Sequence, residues 1–294
     1  MCYQQNKFIQ VLYLFGGLHD FNDQKKFLKC KILLTFLFLT CVNLTSSFKH
    51  HTIFAAFNKN MGHKKLIRFQ AIKEFPNVLE HPQGMQGKWG NHFNNHHKIT
   101  LELACGKGEY AVGLGRMYTE RNFIGVDIKG NRIWRGAITA LDEGLTNVAF
   151  LRTEIDKLPV YFGKEEVSEI WITFPDPQLR LSKAKKRLTH PKFLRIYQQF
   201  LQPNSIIHLK TDSPDLYQFT KTVINLFNLP LLKDFDDAYN QGEIDQELQI
   251  KTYYESLDIA KSKRIHYLQF QINKPLPLEI DEQLKFIING TSLD

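Results

Sequence analysis

The sequence predicts an α/β fold built on a doubly wound, mostly parallel sheet. Three observations carry that prediction. From Ile99 onward, short apolar runs alternate with stretches of helical periodicity, as successive βαβ units do when a sheet is covered on both faces. A glycine pair, Gly106 and Gly108, stands between the first apolar run and the first helical stretch, where such a sheet opens toward a ligand. Finally, 43% of the 294 residues are apolar, enough for a full-sized core, in a chain long for one domain and short for two.

Residues 1–60 read as a leader outside the working fold. They hold seven Lys against two Asp, which is +5 of the net charge of +8. Lys25, Lys26, Lys29 and Lys31 precede an apolar run, Ile32–Val42, as long as a signal-peptide core. That run is shorter than the roughly 18 apolar residues of a membrane span, so no stable membrane association is expected of the catalytic part. No Ala-x-Ala site follows within the usual distance, and Met61 opens a different kind of sequence, so the leader reads either as a mis-assigned start, with Met61 the real one, or as a targeting segment. Residues 61–98, with Pro76, Pro82, Gly84, Gly87 and Gly90, read as an irregular N-terminal arm. Within it, Lys88 and Trp89 are candidates for ligand contact, packing being the more ordinary role for Trp89.

The domain proper is expected over residues 99–275, with a C-terminal tail over 276–294. Its candidate strands are Ile99–Leu103, Asn122–Val126, Val148–Leu151, Ile170–Thr173 and Ser205–Leu209. Candidate helices are Glu109–Tyr118, Asn131–Glu143, Pro191–Leu201 and Pro214–Phe227. Arg264–Ile272 alternates apolar with polar, as a half-buried edge strand does.

In an open parallel sheet, ligands bind beyond the carboxyl ends of the strands. Each of the five strands delivers an acid there: Glu102, Asp127, Glu154, Asp176 and Asp212. Asp127 lies 21 residues after Gly106, the spacing at which an acid accepts from a ribose diol. No Gly-Lys-Ser/Thr follows the glycines, which excludes a phosphate-cradling NTPase loop. Ala111 replaces the third glycine of the dinucleotide fingerprint, and the surrounding acids repel a pyrophosphate while suiting a cationic ligand such as a sulfonium. Helix N-capping accounts for one or two of the five acids at most.

Asp176 sits between Pro175 and Pro177, whose fixed φ angles stiffen the turn and aim the carboxylate. Beyond it, Gln178–Arg195 carries Arg180, Lys183, Lys185, Lys186, Arg187, Lys192 and Arg195 without one acid. A fixed carboxylate beside such a strip suits a polyanion that also presents one polar group, and nucleic acid fits best. A solvated helix face is the bland alternative. The four cysteines (Cys2, Cys30, Cys41 and Cys105) have neither zinc-ligand spacing nor a disulfide framework, which points to a reducing, cytoplasmic setting. His92, His96 and His97 cluster without Cys or carboxylate partners, so no metal site is expected.

Leu101-Glu-Leu-Ala-Cys-Gly-Lys-Gly-Glu-Tyr110 and Phe123-Ile-Gly-Val-Asp127 resemble motif I and the ribose acid of S-adenosylmethionine-dependent methyltransferases. Phe174-Pro-Asp-Pro177, the basic run through Lys185-Lys-Arg-Leu-Thr-His-Pro191, His208-Leu-Lys-Thr-Asp212 and Thr252-Tyr-Tyr-Glu255 narrow the likeness to the tRNA (guanine-N7-)-methyltransferase family. The resemblance runs from about Met61 to Ile272. It implies a Rossmann-like, seven-stranded sheet of the class I methyltransferase type, and transfer of a methyl group from S-adenosylmethionine to N7 of a tRNA guanine, at variable-loop position 46, as a monomer or homodimer. By the same resemblance, Glu102, Gly106, Gly108, Asp127 and Glu154 match cofactor positions, and Asp176 matches a cofactor contact and the catalytic site. Arg180, Asp212, Thr252, Tyr253, Tyr254 and Glu255 match substrate positions, with Lys183, Lys185, Lys186 and Arg187 expected to grip tRNA phosphates. The chain departs from the pattern at Ala104, where the general motif has glycine, at Glu154, where Asp is common, and at Asn204-Ser205, where a glycine turn is usual.

Three rivals remain on sequence grounds. Another S-adenosylmethionine-dependent RNA methyltransferase shares most of these features, although an amino-methylating enzyme would show Asn/Asp-Pro-Pro-aromatic where this chain has Phe-Pro-Asp-Pro. A nicotinamide-dependent oxidoreductase has no use for the basic strip. A non-catalytic RNA-binding module leaves the five acids unexplained.

Overall fold

A computed structural model describes residues 61–290 apart from 241, 258–260, 262 and 263. The leader expected over residues 1–60 lies outside the described residues. The chain divides into two units, 1–64 and 65–294, and the second carries the sheet.

Eight strands form one sheet: β1 (Val78–Glu80), β2 (Ile99–Leu103), β3 (Asn122–Asp127), β4 (Val148–Arg152), β5 (Val167–Thr173), β6 (Leu201–Thr211), β7 (Leu231–Phe235) and β8 (His266–Gln271), in the order β1-β4-β3-β2-β5-β6-β8-β7. All neighbours pair in parallel except where β8 runs antiparallel to β6 and β7. From β2 the chain winds outward through β3 and β4, then returns to β5 and winds the other way. The strand order therefore reverses between β2 and β5, where a ligand crevice belongs.

Every residue of β2 and β3 is buried, which explains the apolar Ile99, Leu101, Leu103, Phe123, Ile124 and Val126, while Thr100, Glu102, Asn122 and Asp127 are buried polar groups among them. On one face, α3 (Glu109–Met117) and α4 (Gly130–Asp142) pack Tyr110, Leu114, Ile133 and Ala137 against Phe123, Val148 and Phe150. On the other, α2 (Trp89–Phe93), α5 (Pro191–Tyr197), α6 (Pro214–Leu226) and α7 (Ile280–Gly290) pack Trp89, Leu194, Leu216 and Leu284 against Leu101, Ile124 and Leu209. Ser213 caps α6 by accepting from Leu216 N–H at 3.3 Å, with proline next in line at the first turn.

Four sequence expectations change. The sheet has eight strands, not seven, because the arm read as irregular supplies α1 (Met61–Ala71), α2 and the short β1. The segment around Arg264–Ile272 is not an edge: β7, a strand whose sequence shows no alternation, pairs outside it. The helix from Pro191 stops at Tyr197, and β6 begins at Leu201, four residues earlier than expected. Residues 276–290 are packed as well: Leu276 and Leu284 are buried, and Arg195 forms a two-pronged bond to Asp281 at 2.9 and 2.5 Å.

Candidate active site

The glycine pair forms a turn with both residues in the left-handed region, Gly106 at φ +56° and Gly108 at φ +71°. Gly108 N–H donates to Cys105 O at 2.7 Å, closing the turn. Side chains are excluded here by space as well as by φ. A Cβ on Gly108 would lie 2.4 Å from the buried Phe150 ring, and one on Gly136 would lie 2.5 Å from Lys107 O. The helix α4 thus touches the turn closely enough to hold it. Gly108→Ala is expected to destabilise the fold by about 1–3 kcal/mol, since the clash falls on an enclosed ring. A urea or thermal melt matching the parent would contradict this. Ala104, where the general motif has glycine, also adopts φ +54°, so the chain tolerates local strain of about 1–2 kcal/mol at the same bend.

Two acids fasten this turn. Asp127 closes β3 and accepts from Gly106 N–H at 3.0 Å and Lys129 N–H at 2.8 Å, one bond to each carboxylate oxygen. Each oxygen keeps a second lone pair, so the acid retains capacity for a ligand's hydroxyls. Glu102 lies beneath the turn, 2% exposed, accepting from Ala111 N–H at 2.8 Å and the Thr173 hydroxyl at 3.2 Å. Burial pushes its carboxyl up to about 8. Its two oxygens are engaged by the protein, so it supports the turn from below. Glu154 follows β4 in an exposed position and pairs with Lys157 at 2.5 Å.

The Phe174-Pro-Asp-Pro loop leaves β5 one strand away. Phe174 and Gln178, at φ +46° and +49°, bracket it with left-handed backbone, unusual for a bulky residue and a known habit of functional loops. Phe174 N–H donates to Lys210 O at 2.8 Å, and Asp176 accepts from Gln178 N–H at 3.0 Å while remaining exposed. Asp212 follows the end of the neighbouring β6.

Arg180, Lys183, Lys185 and Lys186 are exposed along and beside a 3₁₀ turn over Leu181–Lys186. Arg187 does not belong with them. It is 5% exposed, donates to Pro177 O at 3.2 Å and Gln178 O at 3.3 Å, and lies over the Phe219 ring. Unpaired carbonyls of the proline-rich loop draw it inward, so it braces the Asp176 loop instead of facing a phosphate.

The segment Thr252–Glu255 comes back onto the glycine turn. Tyr253 N–H donates to Glu109 at 3.3 Å, the Lys107 ammonium sits 3.2 Å from the Tyr253 ring centroid, and Tyr254 lies against Gly106. Thr252 and Glu255 turn inward: the Thr252 hydroxyl accepts from Glu255 N–H at 3.1 Å, and the Glu255 carboxylate is buried.

The sequence reading missed the residue that anchors this segment. Lys210 is wholly buried in β6, and its ammonium reaches Tyr239 OH and Leu248 O at 2.9 Å and Ile250 O and Glu255 at 3.1 Å. The Tyr239 hydroxyl in turn donates to Glu255. Burial pulls the Lys210 ammonium down to about 8, against the opposing pull of Glu255. A lysine inside an apolar strand was the available signal, because such a residue is almost never buried unpaired. Through its carbonyl Lys210 holds the Asp176 loop, and through its ammonium the 248–255 segment.

Trp89 is fully buried, donating to Tyr161 O at 3.0 Å and stacked on Phe162, so it packs the arm. Among the described residues, no group of His, Cys, Asp and Glu could hold a metal, and no helix is long and apolar enough to cross a membrane.

Comparison with known proteins accounts for this arrangement. The family model described as "Putative methyltransferase" matches residues 96–268. The chain is 46% identical over 221 residues to the tRNA (guanine-N(7)-)-methyltransferase of Bacteroides thetaiotaomicron, covering 72% of this chain and 87% of that protein. It is 44% identical to the one from Christiangramia forsetii over 72% of this chain and all of that protein. Among solved structures, the 16S rRNA methyltransferase KamB is similar in fold, with a TM-score of 0.51 at 13% identity over 67% of this chain and 99% of that one. The sheet is thus of the Rossmann-like, class I methyltransferase type, and the chain belongs to the tRNA (guanine-N7)-methyltransferase family.

Proposed function

We propose that this enzyme transfers the methyl group of S-adenosylmethionine to N7 of a guanine in tRNA, at variable-loop position 46, giving 7-methylguanosine. The observation that carries the reading is the meeting, at one sheet edge, of the glycine turn with Asp127, the bracketed Asp176 loop and an exposed basic strip. The names of the relatives point the same way.

S-adenosylmethionine fits the residues present. The turn at Gly106–Gly108 offers backbone without side chains, and Asp127 keeps lone pairs for ribose hydroxyls. When bound, the cofactor supplies an electrophilic methyl group on a sulfonium. Glu154, facing Lys157, would turn from that lysine to take part.

Guanine N7 carries an in-plane lone pair and needs no deprotonation, so the chain's task is orientation. Asp176 accepts from guanine N1–H and N2–H, which selects the base and offsets the positive charge that develops on the imidazole ring. Charge-assisted bonds of this kind contribute about 1.5–3 kcal/mol each. Asp212 assists from the adjacent strand end, and Tyr253 and Tyr254 line the guanine side. Arg180, Lys183, Lys185 and Lys186 hold phosphates and sense shape more than sequence.

Incubation of the protein with tritiated S-adenosylmethionine and unmodified tRNA tests this. Nucleoside analysis is expected to place the label in 7-methylguanosine, and a tRNA with adenosine at position 46 should remain unlabelled. Label in another nucleoside would overturn the reading.

A further inference from the structure

We propose that a second basic surface, the groove between α3 and α4, binds the tRNA backbone on the opposite face of the sheet from the Arg180–Lys186 strip. The inference rests on tRNA being the substrate. A cavity of about 730 Å³ lies there, lined by Lys107, Arg116, Arg135 and Lys251, with Glu109 and Tyr253 at the end nearest the glycine turn. With Arg116 neutralised by Glu143, three cations face one lining acid, a balance that suits an anion.

The cations are not equivalent. Arg116 is committed to Glu143 through two bonds of 2.6 Å, and Lys107 lies on the Tyr253 ring. Arg135 and Lys251 are exposed and, among the described residues, form no ion pair. Glu109 accepts from Tyr253 N–H, which ties the groove's acid to the segment assigned to the substrate. The groove meets the glycine turn at Gly108, but the acids Asp127 and Glu154 do not line it, and Arg135 and Lys251 lie away from both.

Its place in the fold identifies the kind of anion. α3 and α4 cover one face of the sheet, while α5, which continues the strip, packs on the other. Two helical layers of about 10 Å each, with the sheet between them, put the two basic surfaces more than about 20 Å apart. Phosphates along one stacked strand advance about 3.4 Å each. Only an anion of many nucleotides reaches both surfaces with a guanine at the sheet edge between them, so a folded RNA fits and a free nucleotide does not.

The test is equilibrium binding of unmodified tRNA between 50 and 200 mM salt, with calorimetry of S-adenosylmethionine and a thermal melt as controls on each variant. The double variant Arg135→Gln/Lys251→Gln is expected to bind tRNA about tenfold more weakly and to reduce the salt slope by about 1.4–1.8, as loss of two phosphate contacts requires. Its cofactor affinity and melting temperature should match the parent. A guanosine trinucleotide should bind parent and variant alike. Parental tRNA affinity and slope in the double variant would overturn the groove, as would trinucleotide binding that the double variant abolishes, which would mean a small-anion pocket. Failure of the parent to bind or label tRNA would instead sink the proposed function.

Discussion

Asp176→Asn lowers the rate of methyl transfer by about 10²–10³-fold, the loss typical when a group aimed at developing charge is neutralised. The side chain is exposed and its one described bond, from Gln178 N–H, survives in the amide, whose oxygen still accepts. The melting temperature should therefore stay within a degree or two of the parent, and circular dichroism with single-turnover kinetics reads both outcomes. The amide presents a donor where guanine N1–H and N2–H require acceptors, so the defect should persist at saturating tRNA. Turnover within a few-fold of the parent would refute the assignment of Asp176.

Lys210→Met acts on stability. It leaves the buried Glu255 carboxylate without its cation and takes the ammonium donor from the carbonyls of Leu248, which keeps the Tyr239 hydroxyl, and Ile250. Breaking one half of a buried pair costs about 3–5 kcal/mol, which for a domain of this size lowers Tm by about 10 °C. Glu255→Gln added to Lys210→Met should recover a substantial part of that loss, since no charge is then left buried. Where the variant folds, KM for tRNA should rise more than KM for S-adenosylmethionine, because the 248–255 segment loosens first. A Lys210→Met melt indistinguishable from the parent would remove the anchoring role.

The central strands were legible in sequence because burial on both faces selects short, mainly apolar segments, as at Ile99–Leu103, where Thr100 and Glu102 are the exceptions. Asp127 was legible because the first βα turn fixes how far along the chain the next strand must end. The outer strands were not. β1 has three half-buried residues, and β7 (Leu231–Phe235) is largely exposed, so neither has a pattern for burial to impose. Arg187 was grouped with its charged neighbours by type, whereas loop carbonyls 9 and 10 positions away decide where it points. Lys210 finds its partners 29 to 45 positions along the chain, a distance over which periodicity carries no information.

The segment Thr252–Glu255 has one consequence for how the enzyme meets its two ligands. It rests on the glycine turn through Tyr253 and Tyr254 and is anchored in the sheet by Lys210. Under the proposed function, one short piece of chain is thereby shared by the cofactor side and the guanine side. Any ordering that one ligand imposes on it is ordering the other no longer has to supply. Thermodynamic reciprocity then makes the factor by which cofactor tightens tRNA equal to the factor by which tRNA tightens cofactor.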